Sequence, residues 1–190
     1  IYPTTNPIEL EFILNESEAK YIFVSNEDLL EKVKSVNAKF LKGFYSFDQV
    51  EGTDHYSKVL DLATPELLAK VEEIKKQIPN THTETIIYTS GTTGTPKGVM
   101  LSHANIVSNV FFSKLSFPFP DQPHTKVLSF LPLNHIFEKM VTYIYLFSGI
   151  GIYYAESLET IGDNLKEVKP NGFTTVPRLL EKVYEKIMSK

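Results

Sequence analysis

Cysteine is absent from this 190-residue chain. No disulfide, thiolate metal site or cysteine nucleophile can be built from it. A cysteine-free composition suits the cytoplasm. Arginine is almost absent too. Arg178 is the one guanidinium beside eighteen lysines, so an arginine cluster for phosphate is excluded. Basic excess is also missing. Nineteen lysines and arginines against twenty-three acids leave a net charge of −4, which argues against non-specific nucleic-acid binding. The five histidines (His55, His82, His103, His124, His135) include no pair at i, i+3 or i, i+4, so paired helical histidines cannot hold a metal. The longest uncharged run, Met140 to Ala155, has sixteen residues and contains Ser148, Gly149 and Gly151. That is too short for a membrane span and reads as a buried helix followed by a strand. The opening Ile1-Tyr2-Pro3-Thr4 lacks the basic-then-apolar pattern of a secretory leader. No basic amphipathic helix, internal repeat or low-complexity segment is seen.

Apolar residues at 42% and charged residues at 22% make an ordinary globular mix. The length is enough for one buried core, so one domain is the default expectation. The chain opens without methionine, at what reads as a strand end, and stops inside a helical pattern. It is expected to be a piece of something longer.

Strands alternate with helical patterns. Asn6 before Pro7 is a helix start, a capping side chain followed by proline at the first helical position. Tyr21-Ile22-Phe23-Val24 reads as a short buried strand. Ser25 or Asn26 caps a helix with Leu29, Val33 and Val36 on one face. Gly43 to Phe47 reads as a strand, Asp48 to Gly52 as a turn, and Tyr56-Val59-Leu60 as a short helix. Thr64-Pro65-Glu66 opens a helix with Leu67, Val71, Ile74 and Ile78 at helical spacing. Ser102 caps the next helix, which carries Ile106, Val107, Val110 and Phe111. Residues 117–123 hold three prolines and read as a loop. Lys126 to Leu131 reads as a strand, and Asn134 opens an apolar interior helix to Phe147. Ile150 to Tyr154 and Phe173 to Val176 read as strands, with a helix at Ile161-Leu165-Val168 between them. Pro177 starts the last helix, with Leu180, Val183, Tyr184 and Ile187 on one side. The expected class is α/β, a mostly parallel sheet flanked by helices. Ligands in such sheets bind beyond the strand ends. If their strands run parallel, the segments 89–98, 132–135 and 176–177 share one edge.

The most informative stretch is Thr89-Ser90-Gly91-Thr92-Thr93-Gly94-Thr95-Pro96-Lys97-Gly98. Its ten residues hold three glycines, five hydroxyls, one proline and one lysine. It lies between the apolar runs Thr85-Ile86-Ile87-Tyr88 and Val99-Met100-Leu101, so it reads as strand, loop, strand. Glycines let a backbone approach a ligand, and successive N–H groups form an anion site. Five hydroxyls donate further, and Lys97 adds a cation. A di- or triphosphate needs such a set. A Walker A loop is excluded, because Lys97 precedes Gly98 and a strand follows. A surface turn uses the same residues.

Thr89 to Gly98, continuing through Val99-Met100-Leu101-Ser102-His103-Ala104-Asn105, resembles the phosphate-binding signature of the adenylate-forming superfamily. That superfamily includes acyl-CoA synthetases, luciferases and peptide-synthetase adenylation domains. Leu131-Pro132-Leu133-Asn134-His135-Ile136-Phe137-Glu138 resembles the second core motif of its long-chain acyl-CoA synthetase branch. Tyr153-Tyr154-Ala155-Glu156-Ser157 and Thr175-Val176-Pro177-Arg178 are similar to the same branch. Asn134 and Lys139 depart from that branch, where serine and arginine stand. The departure leaves acyl chain length open.

The resemblance implies a long-chain fatty-acid–CoA ligase, with this chain the central part of its N-terminal AMP-binding domain. A carboxylate attacks the α-phosphate of ATP, and coenzyme A then displaces AMP. Thr89, Ser90, Gly91, Thr92, Thr93, Gly94 and Lys97 are implied to hold the ATP phosphates, with Thr89 also on Mg²⁺. His135 is implied to line the acyl-carboxylate and adenylate site; a structural histidine at a helix start is the alternative. Phe137, Tyr143 and Phe147 fit an acyl tunnel or plain core. Arg178 fits packing beside that tunnel or a surface ion pair. His103 reads as structural. Glu138 with Lys139 reads as a buried pair or a hinge contact, without chemistry.

The superfamily's adenine-binding and ribose-binding segments and its C-terminal lysine domain are not found in these 190 residues, so the chain alone is expected to be inactive. The expected partners are fatty acid, nucleotide and the remainder of the parent chain, with no nucleic acid. A cytoplasmic location with peripheral membrane contact fits a long-chain acyl product. The alternatives are a ligase of the same superfamily for another carboxylic acid and a non-catalytic nucleotide- or acyl-binding module.

Overall fold

Asn6 and Asn26 set the first two helices where the sequence places them. In the computed structural model, which describes residues 1–89, 94–116 and 124–188, the Asn6 side chain accepts from the Glu9 N–H at 2.9 Å and opens α1 (Pro7–Glu16). Asn26 accepts from the Leu29 N–H at 3.1 Å and opens α2 (Glu27–Lys34). Each cap satisfies one of the N–H groups a helix start leaves without a partner. Residues 90–93 of the phosphate-loop assignment and the proline-rich loop 117–123 lie outside the described residues.

The chain divides into two compact units, Ile1–His103 and Ala104–Lys190. In the first, β1 (Tyr21–Val24), β2 (Gly43–Ser46) and β3 (Asp54–His55) form a parallel sheet in that order. α1 and α2 bury Leu10, Leu14, Leu30 and Val33 with Val24 of β1. Leu30 is fully buried, whereas Leu29 and Val36 of the expected face pack partly buried at its side. The other sheet face carries Tyr21, Phe23, Tyr45 and Phe47, with Phe23 stacked on Tyr45 at 5.3 Å. α3 (Ser57–Asp61) and α4 (Pro65–Gln77) follow. Thr64 caps α4 by accepting from the Leu67 N–H at 3.2 Å. The expected apolar stripe of α4 (Leu67, Val71, Ile74) is present but exposed.

β4 (Thr83–Thr89) and β5 (Lys97–Ser102) close the first unit as an antiparallel pair. The strand–loop–strand reading holds, and no helix follows the lysine. The idea that β4 joins one parallel set with later strands does not, because among the described residues it pairs antiparallel with β5 and with no other strand. A short hairpin needs no crossover helix, and the few residues between Thr89 and Lys97 cannot supply one.

All of α5 (His103–Ser116) but its first residue falls in the second unit, which has a parallel sheet ordered β7-β6-β8. These are β6 (Lys126–Ser129), β7 (Gly151–Tyr154) and β8 (Gly172–Phe173). α6 (Ile136–Phe147) connects β6 to β7, α7 (Ile161–Val168) connects β7 to β8, and α8 (Pro177–Met188) follows β8. Val127, Val141, Tyr145 and Ile150 form its core. β8 is shorter than expected: Thr174 to Val176 leave the ladder after two paired residues. α6 is not interior all round. It buries Glu138, Val141, Ile144 and Tyr145, while Phe137, Leu146 and Phe147 are exposed. Its cap is His135, not Asn134.

Candidate functional site

The hairpin positions the described ends of the phosphate loop. Thr89 and Lys97 are opposed residues of the antiparallel ladder, so their side chains leave the same face of the pair. Both are exposed. Alternation puts their neighbours Tyr88 and Gly98 on the other face. Gly94, inside the loop, has φ +83°, a conformation open to glycine at no steric cost. Gly98 is required for a different reason. A Cβ there would stand 2.9 Å from Ile86 Cγ2 and 3.1 Å from Tyr88 Cζ.

Tyr88 anchors that back face. Its phenol is pushed up to about 12, first by burial and then by its hydrogen bond to the Glu16 carboxylate on α1 and by that carboxylate's charge; Ser17 offsets part of this. The first arm of the loop is therefore tied to α1 one residue before Thr89. An exposed threonine hydroxyl beside an exposed ammonium, on a backbone glycines keep open, suits a polyphosphate arriving from solvent. Ser90, Gly91, Thr92 and Thr93 lie outside the described residues. Among the described residues no group of three His, Asp or Glu side chains could hold a metal. A divalent ion would come with the phosphates, and Thr89 offers it one oxygen.

Two other candidate segments share the edge where the parallel strands of the second unit end. Residues 130–135 follow β6, and Thr174 to Pro177 follow β8, its sheet neighbour. His135 is exposed and caps α6, its Nδ1 accepting from the Phe137 N–H at 3.2 Å. An accepting Nδ1 carries no proton, so the neutral ring bears it on Nε2. That N–H can donate to a carboxylate oxygen.

Sequence reading assigned no chemistry to Glu138. The structure makes it the best-held polar group of this edge. It is fully buried; the Nζ of its neighbour Lys139 lies 5.8 Å from the Tyr143 ring centroid. Ser129 Oγ donates to Glu138 Oε1 at 2.5 Å and Thr174 Oγ1 to Oε2 at 3.1 Å. The Tyr145 phenol is raised, mostly by burial, with Thr174 lowering it and the charge of Glu138 raising it. A signal was present in the sequence. Glu138, Val141 and Tyr145 fall at i, i+3, i+7 on one helical stripe, which places an acid in the core. Arg178 and Phe137 are exposed, and His103 donates its backbone N–H to the His82 carbonyl at 3.1 Å. Among the described residues no helix is long and apolar enough to cross a membrane.

The sequence model described as AMP-binding enzyme matches residues 1–190, and the chain belongs to that family. It is 40% identical to long-chain-fatty-acid–CoA ligase 5 of Rattus norvegicus over 138 residues, 70% of this chain and 20% of the relative. It is 31% identical to long-chain-fatty-acid–CoA ligase 1 of Homo sapiens over 204 residues, 100% of this chain and 29% of the relative. A solved long-chain-fatty-acid-CoA ligase (FadD1) of Archaeoglobus fulgidus matches at a TM-score of 0.74 and 25% identity, over 100% of this chain and 37% of that one. The red-emitting luciferase of Phrixothrix hirtus shares the fold at a TM-score of 0.74 and 22% identity, covering 93% of this chain and 35% of that one. The chain thus spans less than a third of the length of these curated relatives.

Proposed function

We propose that the full-length protein is a long-chain fatty-acid–CoA ligase. The observation that carries this reading is the Thr89–Lys97 pair at the mouth of a glycine-opened hairpin, in a chain matched throughout by the AMP-binding enzyme family. The names of the long-chain ligases in the preceding comparison supply the substrate class.

In the first step a carboxylate oxygen attacks the α-phosphorus of ATP. The bond to the β-phosphate oxygen breaks, and pyrophosphate leaves. Charge grows on that leaving group, and the chain's task is to hold it. Lys97 provides the cation, and Thr89 with the loop residues Ser90, Gly91, Thr92, Thr93 and Gly94 provides donors. Thr89 would give a bound Mg²⁺ one oxygen, and the ion would supply charge to offset that of the phosphates. The Nε2–H of His135 orients the carboxylate. In the second step the coenzyme A thiol adds to the acyl carbonyl, its proton is released, and AMP departs to leave a thioester.

The segment contributes phosphate and acyl contacts only; adenine, ribose and coenzyme A contacts belong to the remainder of the parent. The 190-residue chain alone is therefore expected to be inactive. Palmitate-dependent release of pyrophosphate, followed by palmitoyl-CoA formation with the full-length protein, tests the reading. Absence of both for every carboxylic acid supplied overturns it. Pyrophosphate release by the isolated chain overturns its expected inactivity.

A further inference from the structure

Glu138 is the one carboxylate without exposure among the described residues. A buried carboxylate costs several kcal/mol unless it is hydrogen-bonded. Here the bonds are made, by Ser129 to one oxygen and Thr174 to the other. The helix start adds to this, because Glu138 sits in the first turn of α6, where the dipole favours negative charge. A leucine would fill the same stripe beside Val141 and Tyr145 without that cost. What a leucine would not do is join three elements. Ser129 is the last residue of β6, Thr174 the first beyond β8, and Glu138 lies three residues after the cap His135. The carboxylate fastens the ends of two neighbouring parallel strands to the helix that carries His135. Both turns on the candidate acyl edge leave the sheet at a residue that this carboxylate holds.

We propose that Glu138 is a positioning residue for the acyl side of the site. Its shared carboxylate fixes the strand-end turns that present His135 and Thr174 to Pro177. This rests on the ligase reading. It also separates the two substrates: the clamp acts on the acyl edge, not on the hairpin that carries Lys97.

The test uses the full-length protein with palmitate, ATP and coenzyme A. Thr174→Val removes one donor, and Thr174→Ser keeps it. T174V and E138Q should each raise the KM for palmitate about tenfold, the size expected for losing a hydrogen bond to a charged group. The KM for ATP should stay within roughly twofold, because uniform binding of ATP is untouched. T174S should restore the wild-type KM for palmitate. The effects of E138Q and T174V should combine to less than their sum in the double variant, because both break the Thr174–Glu138 bond. A role in folding alone would lower kcat and the thermal midpoint and leave both KM values in place; that result, or constants that do not move, overturns the proposal. If E138Q does not fold, the T174V and T174S pair decides. A wild-type protein inert toward all carboxylic acids overturns the ligase reading itself, whereas an active wild type with an unshifted T174V overturns only the role of Glu138.

Discussion

The β4–β5 hairpin and the β7-β6-β8 sheet each present strand ends to a candidate site, and they hold those ends by opposite means. The hairpin shows Thr89 and Lys97 to solvent and is tied down from behind, by Tyr88 on Glu16. The sheet edge is fastened from within, by a buried carboxylate that two hydroxyls satisfy. The difference matches what each region would bind. A polyphosphate carries its charge in with it and is recognised by exposed donors and a cation. A carboxylate on a long apolar chain offers two oxygens for orientation, and the groups that meet it need fixed places. Screened surface charge can be imprecise; a single donor aimed at one oxygen cannot.

The largest effect should come from the exposed side of this comparison. In the full-length ligase, Lys97→Ala should lower kcat/KM for ATP roughly hundredfold or more, the scale for losing one electrostatic contact to developing charge. The KM for palmitate should stay near wild type. Glu138→Gln should show the reverse pattern at about a tenth of the size. Steady-state kinetics with each substrate varied in turn checks both. If both variants shift the same constant, the contrast between hairpin and sheet edge fails.

Gly98→Ala sharpens the hairpin side. The new Cβ would meet Ile86 Cγ2 at 2.9 Å and the Tyr88 ring at 3.1 Å and above. Ile86 Cγ2 is bonded directly to its own Cβ, so it cannot swing clear without a rotamer change, and Tyr88 is held by Glu16. Overpacking of this kind costs about 1–3 kcal/mol. It should appear as a lower midpoint of thermal unfolding. Gly94→Ala, where a Cβ meets nothing within 4 Å, isolates the conformational cost of φ +83° instead. Should G98A leave the midpoint unmoved, the hairpin is not tied from behind as described.

The exposed side of the comparison was also the legible one. Glycine, hydroxyl and lysine spacing singled out residues 89–98, and the apolar runs at either end gave the strand–loop–strand setting that β4 and β5 show. Asn6, Asn26 and Thr64 were readable as caps because capping is local chemistry. What was hidden depends on partners distant in sequence. Thr174 meets Glu138 across thirty-six residues, and nothing in either neighbourhood names the other. Asn134 looked like the cap of α6, but the helix starts one residue later and His135 takes the role. α4 shows the opposite failure. Its periodicity was read correctly, yet period tells which face is apolar and not whether anything in this chain covers it.

The smallest effect is also the most specific. Tyr88→Phe removes the hydroxyl that bonds Glu16 and should cost about 1 kcal/mol at neutral pH. Its signature lies in alkali. The phenol is raised from 10.0 to about 12 in the folded chain, so folding favours the protonated form. The stability this supplies is fully present below pH 10. It is lost as pH rises from 10 to 12, because the unfolded chain releases the proton first. Stability of the wild type should therefore fall more steeply across that window than stability of Y88F, and urea unfolding at matched pH values measures the gap. The other tyrosines titrate in both proteins and cancel in the difference. Parallel curves would mean that the hydroxyl does not reach Glu16, and the hairpin would then lose the anchor that distinguishes it from an untethered surface turn.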